Sequence, residues 1–283
     1  MPEIHVYHLS ANGLQWVGRE ESTLDAFTRR LPRGLYTTFR TFDGGRRALG
    51  LKRHLDRLYH PLTQLGIAPA AEREGLRAAL RQVAATFAPG ECRLRPVLLL
   101  EGEAAGTFYL LAESFELPPA ELYEKGVAVI TVPIERRNPR LKATDFIASS
   151  AEIRHRLSES GAYEAIRVRL RANCPRGEAL EGLTSNFYVL RDNTLITARE
   201  GILPGVTRQI VLRLARRLGL EMLYRAPCLE ETFEEALLTS SSRGVVPVVR
   251  IDGQVVADGR PGPHTRRLIQ AYEAYVARHA EMI

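Results

Sequence analysis

The spacing of apolar and polar positions in the first third of the chain predicts strands with helices packed on them. The segment LYTTFRT at 35–41 is aromatic and β-branched, as strands usually are, and DGG at 43–45 predicts a hairpin turn. Apolar residues at helical spacing then follow, which predicts a helix broken or restarted at Pro61. The remaining elements predicted in this part are a helix over 72–87 that ends before Pro89-Gly90, and strands at 93–102 and 106–115.

The second half of the pattern mixes many short strands with helices. Strands are predicted at 127–134, 164–170, 185–192, 194–198 and 245–253. Helices are predicted at 143–161, ending at Gly161, at 207–220, and from 262 to the C-terminus. The Pro-rich, polar stretch LPPAELYEKG separates the two halves. We therefore expect an N-terminal α/β domain over 1–117, a linker over 118–124 and a larger mixed domain over 125–283.

Composition and charge exclude some classes of protein. The 283 residues are 45% hydrophobic and 25% charged, as in a globular chain, and no apolar run reaches the roughly 18 residues of a membrane helix. The net charge of +6 comes with dispersed arginines and no aromatic–basic motif, so neither nucleic acid nor a membrane is an expected partner. The cysteines are Cys92, Cys174 and Cys228. They are widely spaced and odd in number, which predicts no metal site and favours reduced thiols in the cytoplasm.

Lysine is rare in this chain, which draws attention to Lys142. Among 39 basic residues the only lysines are Lys52, Lys125 and Lys142. Arginine stays protonated in proteins, whereas a lysine amine can lose its proton and attack a carbonyl to form a Schiff base. A lysine that simply extends to solvent from a helix start is the alternative interpretation.

Three further segments contain groups suited to an anionic, ring-containing cofactor. Glu181 precedes a glycine and a predicted strand, where its carboxylate could face a cationic ring nitrogen. Thr207 begins a strongly amphipathic helix, and helix N-termini bind phosphate. The hydroxyl run Thr239 to Ser242 forms a turn that also suits an anion. Each segment also has an alternative interpretation without a ligand: Glu181 as a surface acid, Thr207 as a helix cap and the hydroxyl run as a polar loop. Together with Lys142 they match the requirements of pyridoxal 5′-phosphate (PLP).

The order of these segments resembles the fold type IV PLP enzymes, which include branched-chain aminotransferases, D-amino acid aminotransferases and aminodeoxychorismate lyases. The similarity lies in YTTFRTFDGGRRALGLKRHLDRL, EGLTSNF, LPGVTR and GRPGPHTRRL. It implies a two-domain α/β (α+β) fold, with a pseudo-barrel in the C-terminal domain and the cofactor in the cleft between the domains. It also implies a homodimer.

The resemblance also implies roles for individual residues. Lys142 matches the Schiff-base lysine and Glu181 the acid at the pyridine nitrogen. The phosphate site is matched by Arg57, Val206, Thr207 and Ser241. Residues at positions that line the substrate pocket in the family are Tyr36, Arg40, Arg95 and Ser242.

The implied activity is transfer of an amino group between an amino acid, branched-chain-like or D-, and a 2-oxo acid by a ping-pong mechanism. An alternative is aminodeoxychorismate lyase on the same scaffold. Asp145-Phe146 stands where branched-chain enzymes have Asn-Tyr, and YTTFR and RRNPRL are similar to the lyase subgroup. A non-enzymatic, basic nucleic-acid-binding or scaffold protein is the other alternative, and the absence of visible absorbance from bound PLP would indicate it.

Overall fold

The structure, a computed structural model, describes residues 2–283 and divides into two compact units. Unit 1 comprises the residues up to Glu116 together with Leu141–Ser149 and Arg278–Ile283, and unit 2 comprises Leu117–Arg140 and Ser150–Ala277. The sequence interpretation assigned all of 125–283 to one domain. Two segments of that range are part of unit 1, because residue 143 pairs with residue 35 and the C-terminal residues pair with residues 47–49.

Unit 1 is built on a sheet whose described strand pairs are all antiparallel. Its strands are β1 (Glu3–Ser10), β2 (Gly13–Glu21), β3 (Gly34–Tyr36), β4 (Phe39–Phe42), β5 (Arg47–Leu49), β6 (Glu91–Leu99), β7 (Phe108–Phe115) and β17 (Ala280–Met282). They lie in the order β17-β5-β4-β6-β7-β1-β2, with β3 also paired to β6. The single strand predicted at 35–41 is therefore two short strands, and the first two strands of the chain were not predicted.

The helices of unit 1 lie on both faces of this sheet. They are α1 (Leu24–Thr28), α2 (Leu51–Leu65), α3 (Arg73–Ala85) and α5 (Asp145–Ser149). Helices α2 and α3 pack on the face that carries Leu98, and α1 and α5 on the face that carries Val97. The apolar faces of α2 and α3 pack in a core with β6 and β7. The prediction that Pro61 interrupts α2 is wrong, since the helix continues to Leu65. A proline inside a helix costs about 3 kcal/mol. Burial of Leu58 and Leu62 on either side of Pro61 offsets that cost.

Unit 2 contains a closed barrel. Its strands are β8 (Val127–Val132), β9 (Glu164–Arg171), β10 (Cys174–Gly182), β11 (Asn186–Arg191), β12 (Thr194–Ile196), β13 (Glu221–Leu223), β14 (Glu235–Ser240), β15 (Gly244–Ile251) and β16 (Gln254–Val255). The order β10-β9-β8-β15-β14-β11 closes through a pair between Glu181 and Asn186. Inward-facing valines and other apolar residues fill the interior. The expectation of a barrel in the C-terminal domain is confirmed.

The helices of unit 2 are α4 (Ala120–Lys125), α6 (Ala151–Ser160), α7 (Val206–Arg217) and α8 (Pro263–His279), whose last two residues are counted in unit 1. The predicted linker thus contains a short helix. The helix predicted at 143–161 is two helices separated at Ser150, and it ends at Gly161 in a left-handed conformation that suits glycine. Among residues 2–283, no helix combines the length and apolar character needed to cross a membrane.

Two expectations about the C-terminal half are wrong. The chain does not end in helix, since Ala280–Met282 pair with β5 as strand β17, a long-range contact that the helical pattern could not show. Cys174 and Cys228 are not separate thiols but form a disulfide, with Cα atoms 5.8 Å apart and a sequence separation of 54. Cys92 is a free, buried thiol.

The start of α8 is held by a buried carboxylate. Glu235, on β14, accepts hydrogen bonds from the N–H groups of His264 (2.9 Å) and Thr265 (2.7 Å). A Cβ at Gly262 would lie 2.2 Å from the Glu235 carboxyl carbon, so only glycine fits beside it. The GPHT segment is therefore shaped by this acid, which compensates the positive end of the helix dipole.

We expect Glu235→Gln to lower the melting temperature. The amide keeps the size of the carboxylate but turns an N–H donor toward one of the two helix N–H groups. Loss of a hydrogen bond to a charged group costs about 1.5–3 kcal/mol. Thermal unfolding followed by circular dichroism measures this, with Glu234→Gln, at the exposed neighbouring position, as the control. Equal melting temperatures for the two variants would contradict the assigned role of Glu235.

Candidate active site

Lys142 lies in a short extended segment of unit 1 that pairs with β3. The next residue, Ala143, forms an antiparallel bridge with Leu35. The Lys142 carbonyl accepts a 2.9 Å hydrogen bond from the N–H of Tyr36. The Lys142 Nζ atom lies 4.9 Å from the centroid of the Tyr36 ring, and the side chain is half-buried. Backbone pairing therefore holds the lysine at its Cα, while the face of the ring attracts its ammonium group.

His54 and Arg57 lie on α2, one turn apart and so on the same face of the helix. The His54 side chain is 1% exposed, and its Nδ1 lies 2.6 Å from the hydroxyl of Thr37. Burial lowers the pKa of His54 well below its ordinary value, and the positive charges of Arg57 and Lys142 lower it further. His54 is therefore neutral, and the positive charge in this part of unit 1 belongs to Arg57 and Lys142. The sequence interpretation named Arg57 and missed His54, although both belong to the HLDR segment.

Tyr36 and Arg95 are buried together on the sheet of unit 1. The Arg95 guanidinium carbon lies 5.0 Å from the centroid of the Tyr36 ring. Arg95 donates hydrogen bonds to Asp25 (2.6 Å), Thr38 (3.0 Å) and Thr28 (3.2 Å). Its charge is thus paired inside unit 1, so Arg95 can hold the Tyr36 ring in place from one side.

Arg40 lies on β4, where its side chain stacks on aromatic rings. Its guanidinium carbon is 4.3 Å from the Phe42 ring centroid and 5.3 Å from that of Phe115. Strand alternation puts Arg40 and Phe42 on one face of the sheet, opposite the buried Phe39. The Arg40 side chain, which is predicted to contact substrate, is therefore already packed against two aromatic rings.

Glu181 is the most strongly bound carboxylate of the predicted site. It lies near the end of β10, is 2% exposed, and its Oε1 accepts hydrogen bonds from Arg136 (3.1 Å) and Arg167 (3.0 Å). Its Oε2 accepts from the Leu203 N–H (2.8 Å) and from the Asn186 side-chain amide (3.3 Å). All of these partners belong to unit 2.

The contacts of Glu181 identify its ionisation state. Every partner donates to it, and an acceptor-only carboxyl is a carboxylate. Burial raises the pKa of Glu181, while Arg136, the Leu203 N–H and Arg167 act in the opposite direction. Two guanidinium groups thus hold a buried anion at the point where the barrel closes. The sequence analysis missed both arginines, although Arg167 interrupts the apolar run of a predicted strand, which is a usable signal.

The first turn of α7 faces a hydroxyl turn. Val206 and Thr207 begin the helix after Gly205, which caps it without a side-chain hydrogen bond. The Thr207 hydroxyl lies 3.4 Å from that of Ser241. A Cβ at Gly205 would lie 2.2 Å from the Asn186 side-chain oxygen, so the approach of α7 to β11 requires glycine. The predicted residues Val206, Thr207 and Ser241 are therefore brought together.

Ser242 lies in the same turn, which Arg243 fastens to the EGLTSNF segment. The Arg243 guanidinium donates to the Glu164 carboxylate (3.2 Å) and to the Thr184 hydroxyl (2.6 Å). Glu164 is 2% exposed and also accepts from the hydroxyl of Ser185. Neither Arg243 nor Glu164 was singled out from the sequence, because their partners are distant in the chain.

Comparison with known proteins identifies a family. The family model of amino-transferase class IV matches residues 34–251 of this chain. The D-alanine aminotransferase of Bacillus licheniformis is 28% identical over 85% of this chain and 86% of its own length. The branched-chain-amino-acid aminotransferase of Pseudomonas aeruginosa is 24% identical over 95% of this chain and 92% of its own.

Solved structures of the same kind share the fold. A branched-chain amino acid aminotransferase from T.th., solved with pyridoxamine 5′-phosphate, superposes with a TM-score of 0.80 at 21% identity, covering 97% of this chain and 94% of the other. The Escherichia coli branched-chain enzyme gives a TM-score of 0.78 at 20% identity, covering 98% and 96%.

Proposed function

Because the chain belongs to the class IV aminotransferase family, we propose that it transfers an amino group between an amino acid and a 2-oxo acid with PLP as its cofactor. The chain is an enzyme, and the family expected from its motifs is confirmed. The observation that carries the proposal is the Glu181 carboxylate, buried and held as an anion by Arg136 and Arg167.

The side chains present fit the chemical needs of PLP. Unit 1 holds a half-buried amine, Lys142, beside a neutral histidine and Arg57. Unit 2 holds a buried anion, Glu181, for a protonated ring nitrogen. Unit 2 also offers the N–H groups at the start of α7 and the hydroxyls of Thr207 and Ser241 for a phosphate. When bound, PLP supplies an electrophilic aldehyde and a ring that accepts electrons from the substrate.

Lys142 has the role that requires a neutral amine. Its Nζ would hold the cofactor through the aldehyde and, when free, would take the proton from the substrate Cα and return it. An arginine could do neither, because it does not lose its proton. His54 is neutral, so it adds no positive charge beside those of Arg57 and Lys142.

Glu181 acts by charge and not by proton transfer. Its four acceptor positions are occupied, and the Asn186 contact of 3.3 Å is the longest of them. Asn186 also donates to the Leu203 carbonyl at 2.9 Å, so it keeps a partner if a ring N–H replaces it at Glu181. Arg136 and Arg167 hold the carboxylate in place and keep it ionised.

For the substrate, we propose contacts from Tyr36 and Ser242. Arg95 is proposed to position the Tyr36 ring, since its guanidinium is already bound by Asp25 and two hydroxyls. Arg40 is proposed at the edge of the substrate region. The relatives act, by their names, on branched-chain amino acids or D-alanine, and we propose one of these as the amino donor. A cytoplasmic homodimer, the arrangement implied by the family resemblance, completes the proposal.

A donor screen tests the function. The purified protein, loaded with PLP, is incubated with L-leucine, L-valine or D-alanine, and with 2-oxoglutarate or pyruvate as acceptor. We expect amino transfer with one donor class, and conversion of the cofactor to its amine form when the donor is given alone. No transfer with any pair would contradict the proposal.

A further arm of the experiment, in which aminodeoxychorismate is given without an acceptor, addresses the lyase alternative. The comparisons favour an aminotransferase, since the relatives are named as such. A lyase would release pyruvate from aminodeoxychorismate without any acceptor and leave the cofactor in its aldehyde form. Pyruvate release in that arm, with no amino transfer in the other, would favour the lyase.

We expect Thr207→Ala and Arg57→Ala to weaken cofactor binding more than they slow the reaction. Each removes a proposed phosphate contact worth about 1.5–3 kcal/mol, which corresponds to roughly tenfold to a hundredfold in dissociation constant. Titration of the apoprotein with PLP, followed by absorbance, measures this. Thr232→Ala and Lys52→Ala change exposed residues and serve as controls. Unchanged affinity in both test variants would refute the phosphate assignment.

A further inference from the structure

Cys174 and Cys228 are held next to each other by the backbone of unit 2, independently of the bond between their sulfurs. Cys228 lies beside β10, because Glu178 and Cys228 form an antiparallel bridge. On either side of that bridge, the Leu229 N–H donates to the Gly177 carbonyl (3.1 Å) and the Ala179 N–H to the Pro227 carbonyl (2.8 Å). Breaking the disulfide would therefore leave the two sulfurs close together, ready to form it again.

A carboxylate faces both sulfurs. Glu230 Oε2 lies 2.8 Å from the Cys228 sulfur and 3.0 Å from the Cys174 sulfur. Its Oε1 accepts a hydrogen bond from the Arg176 N–H at 2.5 Å. A disulfide has no hydrogen to donate, whereas a thiol donates one S–H. The position of Oε2 thus suits the reduced pair, although the structure contains the oxidised one.

The pair is accessible from a surface cavity of unit 2. The cavity has a volume of about 820 Å³ and is lined by Cys174, Cys228 and Glu230 among others. Cys228 is half-buried, whereas Cys174 is 1% exposed. An external thiol therefore reaches the sulfur of Cys228 before that of Cys174.

We infer that Cys174 and Cys228 form a reversible dithiol–disulfide pair in which Glu230 stabilises the dithiol form. A thiolate of an external dithiol attacks the Cys228 sulfur, the S–S bond breaks, and Cys174 leaves as a thiolate that takes up a proton. The second thiol of the reductant then displaces Cys228, which takes up the second proton, and the reductant closes its own disulfide. Two electrons and two protons pass from the reductant to the protein.

The inference concerns a site outside the proposed PLP-binding residues and does not depend on the proposed function. Its consequence for the fold is local: the disulfide fastens Cys228 to the start of β10, the strand that carries Glu181 near its other end. The redox state thus decides whether the first residue of β10 is covalently linked to Cys228.

The test is a redox titration of the full-length protein. Samples are equilibrated at pH 7 in mixtures of reduced and oxidised dithiothreitol, then alkylated and weighed by mass spectrometry. We expect a single two-electron transition in which the partly exposed Cys228 gains a label in the folded protein, while the buried Cys174 and Cys92 are labelled only after unfolding. The double variant Cys174→Ala/Cys228→Ala should take up no label at any ratio. Resistance of the disulfide to reduction until the protein unfolds would overturn the inference.

The role of Glu230 has its own measurement. We expect Glu230→Gln to favour the disulfide by about tenfold in the equilibrium constant, a shift of roughly 30 mV. Glu200→Gln, an exposed acid lining the same cavity, is the control and should not shift it. Equal midpoints for Glu230→Gln and Glu200→Gln would overturn the assignment of Glu230. Stoichiometric Zn²⁺ retained by the reduced protein and blocking its reoxidation would also overturn it, in favour of a metal site formed by the same three residues.

Discussion

Replacing Lys142 by alanine is expected to reduce amino transfer by about 10⁴-fold or more and to abolish the visible absorbance of bound cofactor. The methyl group of alanine can neither bind the cofactor aldehyde nor carry the Cα proton. The fold should persist, because the segment pairs with β3 through its backbone and not through the lysine side chain. Steady-state rates, absorbance and circular dichroism of the variant check the three expectations.

The other lysines are matched controls. Lys52 pairs with Asp56 and Lys125 with Glu121, and both side chains are largely exposed. Lys52→Ala and Lys125→Ala should retain normal rates and absorbance. Borohydride reduction of the loaded wild-type protein, followed by peptide mapping, should place the cofactor on Lys142. A cofactor found on Lys125 would show that the assignment is wrong.

Replacing Glu181 by glutamine is expected to slow amino transfer by about 10²-fold, or roughly 2.7 kcal/mol of barrier. The amide keeps the size of the side chain but loses the negative charge that favours a protonated ring nitrogen. A neutral ring accepts electrons from the substrate less well. The cofactor should still attach to Lys142 and still absorb visible light, which separates this variant from Lys142→Ala.

The contacts of Glu181 add a second expectation for the same variant. The amide leaves Arg136 and Arg167 buried without their anion, and loss of one partner of a buried pair costs about 3–5 kcal/mol of stability. Rates must therefore be measured well below the melting temperature of the variant. Glu178→Gln is the control, since Glu178 is partly exposed and pairs with Arg169. Normal turnover in Glu181→Gln, with loss in Glu178→Gln, would place the motif three residues out of register.

The local sequence pattern was sufficient to predict those elements whose formation depends on neighbouring residues alone. The amphipathic period over 207–220 indicated α7, because its apolar face recurs every turn whatever it packs against. Gly161 marked the end of α6, since a left-handed C-terminal residue is a property of glycine itself. The rarity of lysine drew attention to Lys142, the order of the motifs resembled that of a known family, and the family match confirms the resemblance.

Tertiary structure decided what depends on residues far apart in sequence. Pro61 stays within α2 because the core beneath it is apolar on both sides, and residues 280–282 become a strand because they pair along the edge of β5. Arg136 and Arg167 meet Glu181 across 45 and 14 residues, and Cys174 meets Cys228 across 54. Such contacts arise only when the chain folds and leave no periodic signal in the sequence. The sequence thus determined which chemical groups are available and which family they belong to, while the fold decided which buried charges and sulfurs face one another.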